Sequence, residues 1–207
     1  LSPYQEVASG NDNEKFNGDY GASIGGGLSG GTSLVTMAKS ADKTSAATGS
    51  NITYSISFTN AGTAPVGQPL LSMPLVVQDY IPTGTLYVAG SATNNNVLPV
   101  GVSNYFTFFS TNYGASWVTN EPAAATNVNA LQWWLSDSMA TGTYGAVGFS
   151  LTVQNPYLPV SPMIVNTGGL SFGSAAAFLQ ATAQTLVTST NRLGDAVFLD
   201  NGVGGGS

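Results

Sequence analysis

Polar and apolar residues alternate along two long stretches of the chain, which is the pattern of a half-buried β-strand. In residues 51–58 every second side chain is isoleucine, tyrosine or phenylalanine, and residues 147–154 repeat the alternation. Turn-forming Gly, Pro and Asn residues separate these stretches from shorter apolar runs. The pattern predicts further strands at 34–39, 75–79, 86–92, 105–110, 131–135, 163–172, 181–188 and 196–199.

This spacing of strands predicts an all-β fold, an antiparallel β-sandwich. No segment has a convincing helical period, because the helix-like stretch 175–181 is too short to change the class. Residues 1–32 form a glycine-rich segment that we expect to be an extended N-terminal arm. Residues 33–190 form the predicted sandwich, and 191–207 a C-terminal strand and tail.

The composition excludes several functional classes. Histidine and cysteine are absent, which removes imidazole bases, thiol nucleophiles and their metal sites, and we expect no cofactor and no enzyme. Net charge −6 argues against nucleic-acid partners. No apolar run is long enough for membrane insertion. A charged fraction of 7%, with 26 glycines, is typical of an extracellular or cell-surface β-protein.

Strand parity brings three polar residues onto faces that are otherwise apolar. Lys39 shares a strand face with Val35 and Met37. Asp79 shares a face with the apolar residues two and four positions before it, and Asn166 lies on a third apolar face. If these faces point inward, the three side chains meet in a dry core, where a lone ammonium is very costly. One resolution is attack by neutral Lys39 on the Asn166 carboxamide, with protonated Asp79 shuttling protons, to expel ammonia and leave an isopeptide bond.

Two simpler alternatives for Lys39 stay open. Its ammonium can extend to water at the strand end, or it can form an unreacted pair with Asp79. The alternation also has exceptions, because the apolar residues Leu34, Val76 and Val165 lie on the strand faces opposite to the predicted core.

Other candidate sites are isolated. Asn51 begins the single Asn-x-Ser/Thr sequon and is a glycosylation candidate. By parity Trp133 belongs to the core and Trp134 faces outward, where it is a candidate shelf for a ligand. Asp195 and Asp200 are weak calcium candidates, because the later acidic residues of a calcium loop are missing.

Four segments, in this order, resemble the conserved repeat domain of prokaryotic surface proteins known as domain of unknown function eleven. The segments, within about 34–175, are KSAD with GSNITYSISFTNAG (39–42, 49–62), VVQDYIPTGTLYV (76–88), GAVGFSLTV (145–153) and IVNT (164–167). The resemblance implies an immunoglobulin-like sandwich in a secreted or wall-attached protein. Related surface domains carry acid-assisted Lys–Asn isopeptide bonds, which the resemblance implies for Lys39, Asn166 and Asp79. Residues 191–202 are similar to the start of a serine-aspartate-repeat B-type domain.

Three functional hypotheses follow. The first is a structural subunit of an extracellular fibre or surface layer, in which one tail adds a strand to the next copy, so that the partners are copies of this chain. The second is an adhesin or carbohydrate-binding module that uses Trp134 and the loop 94–96 to bind surface glycans. The third, a hydrolase, would use Glu121 and Asp137 as paired carboxylates.

Overall fold

A computed structural model of the chain describes residues 34–71, 73–93 and 96–188, and these residues confirm the predicted immunoglobulin-like β-sandwich. The predicted arm 1–32, the tail 191–207 and the strand at 196–199 lie outside the described residues. The described residues form ten strands: β1 (Val35–Ala41), β2 (Ser45–Ala47), β3 (Asn51–Asn60), β4 (Leu75–Tyr80), β5 (Thr85–Tyr87), β6 (Tyr105–Ser110), β7 (Ala130–Leu135), β8 (Tyr144–Val153), β9 (Met163–Phe172) and β10 (Leu179–Thr188).

The strands form two sheets that pack face to face. The four-stranded sheet has the order β1-β3-β8-β5, and the six-stranded sheet has the order β2-β10-β9-β4-β7-β6. One pair departs from the antiparallel expectation, because β2 runs parallel to β10. The chain passes from β1 in one sheet directly to β2 in the other, and Leu186 N donates to Thr44 O at this crossing. This short crossing contains no hairpin, so β2 joins the edge of the other sheet as a parallel strand.

Most strands begin or end one to three residues away from the predicted bounds, strand β2 was not predicted, and larger differences occur in the connecting segments. The strand predicted over 86–92 ends at Tyr87, and a 3-10 helix at Ser91–Thr93 follows it; further 3-10 helices lie at Pro69–Leu71 and Ala125–Asn127. The stretch 175–181 contains no helix, and its last residues begin β10. None of the helices described here has the length and hydropathy that crossing a bilayer requires.

Alternate side chains of both sheets fill the core. The Tyr54 and Phe149 rings stack with centroids 5.5 Å apart, and Trp133 lies 5.9 Å from Phe149. Trp133 is fully buried, which confirms its predicted place in the core. Leu34 and Val165 are 56% and 50% exposed, as residues on the opposite strand faces should be, whereas Val76 on the same kind of face is 0% exposed.

Candidate functional site

Three polar side chains meet between the two sheets. Lys39 projects from β1 of the four-stranded sheet, whereas Asp79 on β4 and Asn166 on β9 belong to the six-stranded sheet. The side chains of Lys39 and Asp79 are 0% exposed, and so is Asn166. Lys39 Nζ donates a hydrogen bond to Asp79 Oδ2. The structure therefore brings together the three residues that strand parity selected, and Lys39 does not extend to solvent.

A glycine on β9 makes room for the Asp79 carboxylate. Gly168 is paired with Asp79 across β4 and β9. A Cβ at Gly168 would lie 2.9 Å from Asp79 Oδ2 and 2.7 Å from Ile56 Cδ1, closer than side chains can approach. Our sequence reasoning missed this residue, although a Gly-Gly pair inside a predicted strand is a signal of close approach.

Two aromatic rings surround the lysine nitrogen. Lys39 Nζ lies 5.2 Å from the ring centroid of Tyr54 and 5.6 Å from that of Phe149. Both rings belong to the buried core. The nitrogen therefore has aromatic faces and one carboxylate around it, where an exposed ammonium would have water.

Burial shifts the pKa values of Lys39 and Asp79 in the directions that favour their uncharged forms. Desolvation lowers the pKa of Lys39, although the neighbouring Asp79 carboxylate opposes this shift. Desolvation raises the pKa of Asp79 to about 7, against the opposing effects of Lys39 and the nearby Asn166 amide. Moving one proton from the Lys39 ammonium to the Asp79 carboxylate gives an uncharged amine and an uncharged acid. An uncharged amine is the form of lysine that acts as a nucleophile.

The Asn166 amide lies near Asp79 but makes no hydrogen bond of good geometry. Asn166 Nδ2, Asn166 Oδ1 and Asp79 Oδ1 are buried without a hydrogen-bond partner among the described residues. An unpaired buried polar group costs about 1–3 kcal/mol, so such groups call for an explanation. In this site the unpaired amide lies near the Asp79 acid, which itself contacts the Lys39 amine, and amide exchange requires these three groups.

The isolated candidates occupy separate surfaces. Asn51 is exposed at the start of β3, where its Oδ1 accepts a hydrogen bond of 2.6 Å from Thr152 Oγ1. Trp134 is half-buried on β7 and donates its indole N–H to Gln132 Oε1. Of the loop 94–96 only Asn96 lies within the described residues. Asp195 and Asp200 are outside them.

The two carboxylates of the hydrolase hypothesis have separate structural partners. Glu121 accepts hydrogen bonds from Tyr87 Oη and Gly90 N. Asp137 accepts from Ser103 N and Ser136 Oγ. The described contacts give them no partner in common, and no group of three potential metal-ligating side chains occurs in the described part of the chain. The hydrolase hypothesis therefore has no support in the geometry.

Comparisons with known proteins give structural likeness only. No family model and no curated protein matches the sequence. Similar solved structures include the full-length major pilin SpaD of Corynebacterium diphtheriae, at 12% identity and a TM-score of 0.45 over 72% of this chain and 33% of the pilin. A fragment of the major pilin GBS80 of Streptococcus agalactiae has 13% identity and a TM-score of 0.42 over 74% of this chain and 56% of the fragment.

The collagen-binding domain of a Staphylococcus aureus adhesin is also similar, at 10% identity and a TM-score of 0.39, over 75% of this chain and 99% of the domain. This chain spans about a third of the length of full-length SpaD. At these identities the likeness concerns the β-sandwich alone and says nothing of what this chain binds.

Proposed function

We propose that the chain is a non-enzymatic structural module of an extracellular fibre or cell-surface layer, closed by an intramolecular isopeptide bond between Lys39 and Asn166. The bond would join β1 to β9 and so tie the two sheets of the sandwich together. The observation that carries the proposal is the burial of Lys39, Asp79 and Asn166 in one contact group between the sheets.

The chemistry balances within the three side chains. The Lys39 Nζ lone pair attacks Asn166 Cγ, and Asp79 gives a proton to the carboxamide as the new N–C bond forms. The Asn166 Cγ–Nδ2 bond then breaks, the lysine nitrogen returns one proton to Asp79, and Nδ2 leaves as ammonia. Asp79 ends in its starting state, so the reaction needs no cofactor and occurs once in each chain.

A covalent bond between the sheets suits a module that bears load. Pulling a sandwich apart separates strands held by hydrogen bonds, whereas this bond would have to break chemically. Like a disulfide, it would also restrict the unfolded chain, and a long closed loop gains the most from such a restriction. The gain matters for a chain without cysteine.

The partners in this proposal are further copies of the chain. Among the described residues, strand β1 is an edge of the four-stranded sheet, with β3 on one side only. Its single charged side chain, Lys39, points into the core and leaves the edge without the charged residues that usually block strand addition. Deletion of residues 1–31 should abolish polymers seen by electron microscopy if the arm adds a strand. Unchanged polymers would contradict this mode of assembly.

Peptide mapping tests the isopeptide bond. Proteolysis of the denatured chain should yield one branched peptide that joins the β1 segment with Lys39 to the β9 segment with Asn166, lighter by one ammonia than the two together. Asp79→Asn retains the size of the side chain but removes the acid, so this variant should yield two separate peptides.

Lys43→Met is the matched control for loss of a lysine near the same strand. Lys43 is 43% exposed and contacts Asp42, outside the site. This variant should keep the branched peptide. Separate peptides from the folded wild-type chain would overturn the isopeptide proposal and leave an unreacted Lys39–Asp79 pair.

A further inference from the structure

The outer face of the six-stranded sheet carries aromatic and amide side chains that the core does not use. We call this surface the aromatic face and define it by Gln78 and Tyr80 on β4, Gln132 and Trp134 on β7, and Phe106 and Phe108 on β6. Phe106 is 52% exposed and Tyr80 is 46% exposed, Gln78, Phe108 and Trp134 are half-buried, and Gln132 is buried beneath them. Contiguous apolar groups at the surface of a protein are typical of binding sites.

Strand register places these side chains next to one another. Phe106 pairs with Trp134, and Phe108 pairs with Gln132. Gln132 in turn pairs with Gln78 across β7 and β4. The ring centroids of Phe108 and Trp134 are 5.0 Å apart and the ring planes are inclined at 49°, so the two rings pack against each other. The side chains come from three adjacent strands of one sheet and therefore have a firm backbone support.

A directed chain of hydrogen bonds ends at the surface. An indole N–H can only donate, and Trp134 Nε1 donates to Gln132 Oε1 over 3.0 Å. The Gln132 amide nitrogen therefore donates onward, to Gln78 Oε1 over 2.5 Å. This order leaves the Gln78 amide nitrogen as the terminal donor, and the half-buried Gln78 has no protein acceptor for it among the described residues.

The aromatic face is uncharged. The ionisable Lys and acidic side chains of the described residues are the inward pair Lys39 and Asp79, the exposed pair Asp42 and Lys43, and the loop residues Glu121 and Asp137. None of them belongs to the aromatic face. A surface with rings and an amide donor, but without cations or anions, has no means of attracting an ionic ligand.

We propose that the aromatic face binds a neutral polysaccharide. The apolar C–H faces of successive pyranose rings can stack on Phe106 and Trp134, and a sugar hydroxyl can accept a hydrogen bond from Gln78 Nε2. The absence of charge selects neutral sugars over uronic acids or sulfated chains. The site does not depend on the Lys39–Asn166 bond, because it lies on the opposite side of the sheet from Asp79.

Affinity electrophoresis tests this proposal with the full chain. The probes are hydroxyethylcellulose, laminarin and dextran as neutral polysaccharides, and alginate as an anionic one. At least one neutral probe should retard the wild-type chain, and alginate should not. Phe106→Ala with Trp134→Ala should weaken binding of that probe by roughly tenfold or more, because the stacking surface is lost.

Tyr144→Ala is the matched control, since Tyr144 is a 49% exposed aromatic residue on β8 of the other sheet. It should bind like the wild type. Gln78→Ala removes only the terminal donor and should weaken binding less than the double substitution. Circular dichroism establishes that each variant is folded, and Phe106→Ala alone replaces the double variant if that one is not.

Three results would overturn the proposal. The first is no retardation of the wild-type chain by any neutral probe, and the second is equal retardation of Phe106→Ala and wild type. The third is loss of self-association in the Phe106→Ala variant by light scattering, with no change in retardation by the polysaccharide. That third result would make the aromatic face an interface between copies of the chain.

Discussion

Two lysine–aspartate pairs have lysines that are close in sequence, and the surroundings of the two pairs differ completely. Lys39 and Asp79 are 0% exposed between the sheets. Lys43 and Asp42, just beyond β1, are 3.5 Å apart with 43% and 42% of their side chains exposed. Water and salt screen the outer pair, whereas the inner pair lies among buried side chains that include the rings of Tyr54 and Phe149.

The comparison teaches that burial, rather than pairing with an aspartate, distinguishes Lys39 from Lys43. An exposed pair contributes between about 0 and 1 kcal/mol and needs no further partner. A buried pair has lost its hydration and often contributes no more stability than apolar residues of similar volume. The presence of Lys39 and Asp79 in this core therefore calls for a use other than stability of the pair itself, and the isopeptide bond that we propose with Asn166 is such a use.

Removal of the inner lysine should have the largest effect. Lys39→Ala breaks the buried pair and prevents the isopeptide bond, so the free energy of unfolding should fall by at least about 3–5 kcal/mol. Urea denaturation followed by tryptophan fluorescence measures this change. A loss below that range would mean that the pair is neither tightly coupled nor cross-linked.

Crowding of the carboxylate should have the next largest effect. In Gly168→Ala the new Cβ lies 2.9 Å from Asp79 Oδ2, so we expect displacement of the acid, a fraction of unreacted chain, and a loss of about 1–3 kcal/mol. Mass spectrometry of the variant measures the unreacted fraction.

Gly169→Ala is the control for this crowding. Its Cβ would contact Ala177 on the opposite side of the strand, 2.8 Å away. We expect some loss of stability in this variant but complete formation of the bond. Complete reaction in both variants would show that Gly168 does not position Asp79.

A pH dependence should distinguish the inner pair from the outer one. Asn166→Ala prevents the bond and leaves the pair intact. The raised pKa of Asp79, about 7, means that the folded state holds a proton that the unfolded state releases near 3.8, so stability should fall as pH rises between these values.

The lowered pKa of Lys39 changes stability in the opposite direction at higher pH. The unfolded chain then holds the extra proton up to pH 10.5, so stability should rise again as pH approaches that value. Urea midpoints across this range should therefore pass through a minimum. Asp79→Asn in the same background should remove the fall below pH 7, and an unchanged profile would contradict the assignment.

Removal of the outer lysine should have the smallest effect. Lys43→Met takes away an exposed partner of Asp42, so stability should change by no more than about 1 kcal/mol, and less in high salt. Thermal denaturation at two ionic strengths measures this change. A larger loss would remove the contrast between the two pairs.

The alternation of side chains predicted the faces of the strands better than it predicted where the strands begin and end. Alternation identified the faces of β1, β4 and β9 and so brought Lys39, Asp79 and Asn166 together, because the side-chain period of a strand is fixed by its geometry. It also placed Trp133 in the core correctly.

Short elements and close contacts could not be read from the pattern. Strand β2 has only three residues and is formed by pairing with β10, which is distant in sequence. The end of β5 at Tyr87 depends on Ala92 and Glu121, whose groups hydrogen-bond to the Tyr87 hydroxyl. The contact of Gly168 with Asp79 depends on the register of β4 and β9, which alternation alone does not specify.

The central claim is a covalent bond between Lys39 and Asn166, and the intact mass of the denatured wild-type chain tests it most directly. Our account predicts a mass lower by one ammonia than the mass calculated from the sequence. The full mass of the calculated chain, found for protein that had folded completely before denaturation, would contradict it.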